Sequence, residues 1–222
     1  MRTPAVIINF KAYTEVDGFR SLDLARTCQK VADESGVCIA VCPPQVELGQ
    51  VSKGVDIPVL SQHVDPRKPG SATGWVTPSM VAATGAKGSL LNHSEHRLLM
   101  TDIQDAVSMC RSHSLLTVVC TDSVASSAAA AAYRPDYVAV EPPELIGGDI
   151  SVTEANPDVV RGAVDAVRRV DAGVRLLCGA GVKTGEDVRA ALELGAEGVL
   201  LASGVVKSKD PYQSLLDLVK LI

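Results

Sequence analysis

Three stretches of the chain each deliver polar groups fit for proton chemistry just past a short apolar run. Tyr137-Val138-Ala139-Val140 ends on Glu141, Pro142-Pro143 stiffen the exit, and Gly147-Gly148 close a loop able to act as a lid. Val6-Ile7-Ile8 leads to Asn9-Phe10-Lys11, where residues 9 and 11 share one side of an extended segment. Ser89-Leu90-Leu91 leads to Asn92-His93-Ser94-Glu95-His96. A buried carboxylate can move a proton, a neutral imidazole can donate one N–H, and a lysine or carboxamide can meet developing negative charge. Each stretch alone has a plainer reading: an acidic turn after any buried strand, a histidine satisfied by backbone, a solvated lysine. Glu144 competes with Glu141 but falls on the lid segment, where solvation is expected.

Two later stretches suit an anion. Gly179-Ala180-Gly181 and Ala202-Ser203-Gly204 are small-residue turns whose N–H groups can approach a ligand closely. A dinucleotide fold is the competing reading of the first, but too little chain follows Gly181 to complete one. His93 and His96 have His-x-x-His spacing without a third ligand nearby, so no metal is expected.

The elements that must position these groups alternate along the chain. Strands are predicted at 5–9, 37–41, 58–62, 88–91, 115–119, 137–140, 174–178 and 198–201. Several are apolar at consecutive positions, as parallel strands covered on both faces require. Helices fall between them. Thr101 or Asp102 can cap one bearing Ile103, Ala106, Val107 and Cys110. Asn156-Pro157 opens another, Thr184 a third with Val188, Ala191 and Leu192 inward, and Asp210-Pro211 a last one carrying Leu215, Leu218 and Ile222. A short helix is expected at Ser94-Glu95, with its N-terminus behind His93. Eight such units make an α/β (β/α)8 TIM barrel, a single domain over residues 1–222, with a doubly wound sheet as the rival. In a barrel every group above converges on the face formed by the strand C-termini.

Composition narrows the classes. The 222 residues are 46% hydrophobic and 21% charged with net charge -5, which argues against non-specific nucleic-acid binding. No apolar run is long enough to span a bilayer, and the start moves straight into a strand without a signal-peptide core, so a cytoplasmic location is expected. The six cysteines form no Cys-x-x-Cys pair and read as small buried hydrophobes.

In order and spacing, these five stretches resemble the triosephosphate isomerase family, in the short form typical of archaea, from about Val6 to the C-terminus. The resemblance implies interconversion of dihydroxyacetone phosphate and D-glyceraldehyde 3-phosphate through an enediolate, in glycolysis and gluconeogenesis, without a cofactor. It implies Glu141 as general base, His93 as electrophile, Lys11 and Asn9 as stabilisers, and Glu95 as their supporting neighbour. Asn9, Phe10, Lys11, Ile146, Gly147, Gly181, Ala202 and Ser203 would bind the phosphorylated triose. The chain departs from longer members at Phe10, where they carry tryptophan, at the lid tip 143–145, which lacks an aromatic, and at Gly181, where they carry serine. The segment 63–78, with Trp75, resembles the loop that docks into a neighbouring subunit, and by itself equally reads as a solvated Ω-loop. A homo-oligomer is implied, with a tetramer favoured over a dimer by the short helices around strands four to six. Other phosphate-binding barrel enzymes, a phosphosugar epimerase or phosphoribosyl isomerase, would leave Asn9, Lys11 and His93 without a reason, and a non-catalytic module would leave the base and electrophile idle.

Overall fold

A computed structural model of the chain describes residues 1–145, 148 and 151–222. Its eight strands are β1 (Ala5–Asn9), β2 (Cys38–Cys42), β3 (Leu60–Ser61), β4 (Gly88–Leu91), β5 (Leu116–Thr121), β6 (Tyr137–Val140), β7 (Arg175–Gly179) and β8 (Gly198–Leu201). All neighbouring pairs are parallel, in the order β2-β1-β8-β7-β6-β5-β4-β3. The two ends of that order meet through one parallel bridge, Val41 to Val59, with the Val41 N–H on the Pro58 carbonyl at 3.0 Å. The sheet therefore closes into a (β/α)8 barrel whose thinnest seam lies between β2 and β3.

The consecutive apolar runs are explained by two separate cores. Ile7, Ala40, Leu60, Leu90, Val118, Cys120, Tyr137, Ala139, Leu177 and Leu200 pack inside the barrel. Their sequence neighbours, such as Val6, Ile8, Val41, Leu91 and Val140, pack outward against the helices. A period of two thus puts alternate residues in different cores, and both are apolar. All six cysteines are unpaired and five are buried; Cys38, at the start of β2, is half-buried.

Helix boundaries follow local chemistry, with departures at several ends. The 14-residue helix Pro157–Val170 has Pro at its first turn and buries Val160, Ala163, Val164 and Val167, although Asn156 occupies the cap position without a side-chain bond. Gly185–Glu193 opens on a reciprocal box between Thr184 and Asp187, and Leu192 is half-buried rather than fully inward. Pro211–Val219 is capped by Asp210, and it ends before Ile222, which stays 38% exposed. The helix Met100–Ser112 buries Ile103, Ala106, Val107 and Cys110, but its cap is Leu99, so Thr101 and Asp102 sit inside its first turn. Residues 94–96 form a turn instead of a helix, closed by the His96 N–H on the His93 carbonyl at 2.8 Å. Among the described residues no helix is long and apolar enough to cross a membrane.

Candidate active site

One cleft of about 470 Å³, open to solvent, is lined by Asn9, Lys11, His93, Glu141, Ala180, Gly181, Ala202 and Ser203, among others. These come from β1, β4, β6, β7 and β8, all at the strand C-termini. Strand parity explains most of the convergence. Asn9 continues the inward set of Ile7, and Glu141 continues that of Tyr137 and Ala139.

His93 breaks parity, because Leu90 points into the barrel and residue 93 would point outward. Asn92 corrects it by adopting a left-handed backbone, φ 58. Its amide secures that turn, donating to the Cys120 carbonyl at 2.9 Å and accepting the Leu98 N–H at 2.9 Å. Asparagine is among the few residues that tolerate this conformation cheaply.

Glu141 is 7% exposed, and burial pushes its carboxyl up to about 7. The Cys120 thiol and the Lys11 ammonium pull it partly back down. Its Oε2 is buried without a hydrogen-bond partner and lies 3.7 Å from His93 Nε2, too far for a hydrogen bond. The orphaned oxygen costs free energy that a ligand proton would recover.

His93 is also 7% exposed. Desolvation holds its imidazole below the ordinary value; Glu95 opposes this, and the Lys11 and Arg97 charges reinforce it. Its Nδ1 accepts the Glu95 backbone N–H at 3.2 Å, which assigns the remaining proton to Nε2, the nitrogen facing Glu141. The turn at 94–96 thus does by one hydrogen bond and burial what the expected helix N-terminus would have done by its dipole.

Lys11 stands at φ 52, a conformation costing a non-glycine residue about 1–3 kcal/mol. Two bonds offset it, each contributing about 1 kcal/mol: its N–H donates to Asn9 Oδ1 at 3.0 Å, and its carbonyl accepts from Gln62 Nε2 at 2.9 Å. Its ammonium pairs with Glu95 Oε1 at 2.9 Å. Glu95 is 58% exposed, so the pair contributes less than about 1 kcal/mol and mainly aims the lysine.

Ala180 and Gly181 both adopt left-handed backbones, φ 71 and 70, and line the same cleft as Lys11. Ala202 precedes the short helix Ser203–Val206. The remaining expectations fare differently. Phe10 is fully buried in the outer core and does not line the cleft, because it lies one residue out of phase with Asn9 and Lys11. Ile146 and Gly147 lie outside the described residues, as does the side chain of Glu144; nearby Gly148 lines the cleft. His96 stacks on the His63 ring at 3.9 Å. Among the described residues no group of three potential ligands is placed to hold a metal. The segment 63–78 is tied at its neck, with Asp65 bonded to both backbone groups of Val76 and Arg67 stacked on Trp75.

Gly179, read from the sequence as part of the anion turn, lies against Glu141. A Cβ built there would meet Glu141 Cγ at 2.3 Å and Oε1 at 2.7 Å, so the last residue of β7 must be glycine for the carboxylate to lie where it does. A glycine immediately after the predicted strand 174–178, next to a glutamate-bearing strand, was the available signal.

The family model described as "Triosephosphate isomerase" matches residues 4–222. The triosephosphate isomerase of Methanocaldococcus jannaschii is 49% identical over 98% of this chain and 99% of its own length. That of Methanothermobacter thermautotrophicus is 50% identical, over 99% and 96%. That of Methanosarcina acetivorans is 46% identical over the whole of both chains.

Proposed function

The chain belongs to the triosephosphate isomerase family, and on that premise we propose that it interconverts dihydroxyacetone phosphate and D-glyceraldehyde 3-phosphate, without a cofactor. The observation that carries this reading is the facing pair in one cleft: a buried glutamate with a free oxygen and an imidazole whose proton points toward it.

In the proposed cycle Glu141 takes a proton from the carbon beside the carbonyl and returns it to the neighbouring carbon. A carboxyl near pH 7 suits both halves, since it is basic enough to take the proton and acidic enough to return it. His93 Nε2–H donates to the carbonyl oxygen as charge grows on it, and the imidazole takes up the proton of the neighbouring hydroxyl in return, so the oxygen-bound proton ends on the other oxygen. A neutral imidazole serves here, and burial keeps it neutral. The Lys11 ammonium balances the enediolate and the phosphate, and Asn9, whose Oδ1 is held by the Lys11 N–H, presents its NH₂ end.

Backbone groups at Gly181 and Ala202-Ser203 would receive the phosphate, with Ile146 and Gly147 completing the enclosure. Phe10 would then act through its place in the outer core. Excluding water matters because an enediol phosphate left in water can eliminate its phosphate.

We further propose one domain over residues 1–222, a cytoplasmic setting in glycolysis and gluconeogenesis, and a homo-oligomer, with a tetramer favoured over a dimer. Exposed apolar side chains after three successive strands support association: Val46 at 88%, Met80 at 56% and Leu99 at 71%. A sedimentation mass of one chain would overturn it. The reading as a whole is tested by triose phosphate turnover of the purified protein with and without a chelator. Equal turnover in both is expected, and no turnover in either would overturn it.

A further inference from the structure

Gln62 follows β3, the two-residue strand at the seam of the barrel, and sits beside the lysine of the cleft. Its single side-chain nitrogen donates to two carbonyls: Lys11 at 2.9 Å and Cys42 at 2.9 Å. A carboxamide nitrogen has two hydrogens, so each carbonyl takes one and the donor capacity is spent. The Cys42 carbonyl also receives the Phe10 N–H at 3.0 Å. The Asn9–Phe10 peptide is therefore tied to β2 directly, and the Lys11–Ala12 peptide is tied to it through Gln62. On the N-terminal side Asn9 Oδ1 takes the Lys11 N–H. Between these holds lies the left-handed Lys11, φ 52.

We propose that Gln62 is a positioning residue for the isomerisation, acting through Lys11: its amide fixes the Lys11 peptide in the left-handed turn that sends the ammonium into the cleft. The proposal rests on the role given to Lys11 above. The β1–β2 ladder ends at Asn9 and Cys42, and β2 and β3 meet by one bridge, so the sheet itself does not hold the Lys11 carbonyl. Without Gln62 the Lys11 carbonyl loses its donor, and an extended backbone becomes the easier state. The ammonium then loses the fixed backbone from which it reaches the cleft and pairs with Glu95, and its position is no longer held.

Glutamate at this position keeps the shape and, ionised, has no hydrogen to offer, so two carbonyls would face a carboxylate. Methionine keeps the length and removes the donor without adding charge. Asparagine keeps both donors on a stem one methylene shorter.

A purely structural staple would lower stability and activity alike, whatever stands at position 11. Positioning through Lys11 predicts non-additivity. The test is steady-state kcat and KM for D-glyceraldehyde 3-phosphate in wild type, Gln62→Met, Lys11→Ala and the double variant, alongside thermal melts. Gln62→Met is expected to lower kcat/KM by ~10-fold or more in the wild-type background, the scale on which a displaced group of this kind acts. In the Lys11→Ala background the same change should alter kcat/KM by less than about 2-fold. If Gln62→Met melts below the assay temperature, the same cycle is run with Gln62→Asn at a temperature where it is folded.

Equal losses in both backgrounds, or no loss beside intact Lys11, would overturn the proposal. Unaltered kinetics in Lys11→Ala itself would instead remove the role assigned to Lys11, a failure read directly from that single variant.

Discussion

Glu141 shows how a residue can be poor for stability and suited to chemistry for the same reason. Burial raises its carboxyl from 4.5 to about 7. At pH values between those two, the folded chain holds a proton that the unfolded chain has released, so stability falls as pH rises. Below 4.5 both states are protonated and the cost disappears; above 7 it is complete, on the order of 3 kcal/mol. Glutamine resembles the protonated form and does not ionise. Glu141→Gln should therefore be more stable than wild type at pH 8 by roughly 3 kcal/mol, with the gain shrinking toward zero near pH 4.5. Urea unfolding across that range measures it, and a difference that does not change with pH would contradict the assignment. The identities of Glu141, His93, Lys11 and Asn9 were legible in the sequence because each follows an apolar run. What brings His93 inward was not, since the left-handed Asn92 is a backbone choice that no side-chain pattern announces. Phe10, expected beside Asn9 and Lys11, has its side chain in the outer core, because the residue between two inward-facing ones faces the opposite side.

Among the elements, the strands were more readable than the turns between them. β1, β4, β6 and β8 lie where their apolar runs lie, while β2, β5 and β7 start one residue later than predicted. β3 contracts to Leu60–Ser61 because its pairing with β2 is a single bridge, a matter of register around the closed barrel rather than of composition. The helix expected after His93 is missing because the Leu98 N–H is taken by Asn92 and the His96 N–H by the His93 carbonyl, a pair of bonds that completes a turn instead. The turn after β7 carries a tighter constraint than its small residues suggested. A Cβ at Gly179 would meet Glu141 Cγ at 2.3 Å, so the glutamate side chain must shift to admit one. Gly179→Ala should leave the barrel folded and lower kcat by ~10²-fold, the effect of displacing a reacting group by about an ångström. A wild-type kcat with an unaltered pH profile would show that the two strand ends are not coupled in this way.

Across the whole molecule, the barrel turns local alternation into long-range convergence. Five strands distant in sequence supply one cleft: β1 and β6 through the inward residues at their ends, β4 through the left-handed turn at Asn92, and β7 and β8 through the turns that follow them. This is why the site could be read from five short stretches once eight parallel strands were inferred, and why the doubly wound rival fails: its order would not bring β1 beside both β2 and β8 and close β2 onto β3. Gln62, and the contact of Gly179 with Glu141, escaped that reading because they involve residues behind those that line the cleft and exist only after closure. The most direct test of the central claim is kcat for triose phosphate isomerisation by Glu141→Gln, measured at pH 8 in a coupled assay on protein shown to be folded. The facing pair predicts a loss of ~10²-fold or more, the usual scale of general-base catalysis. A variant that turns over at the wild-type rate would mean the proton moves by some other group, and the proposed role of Glu141 would be wrong.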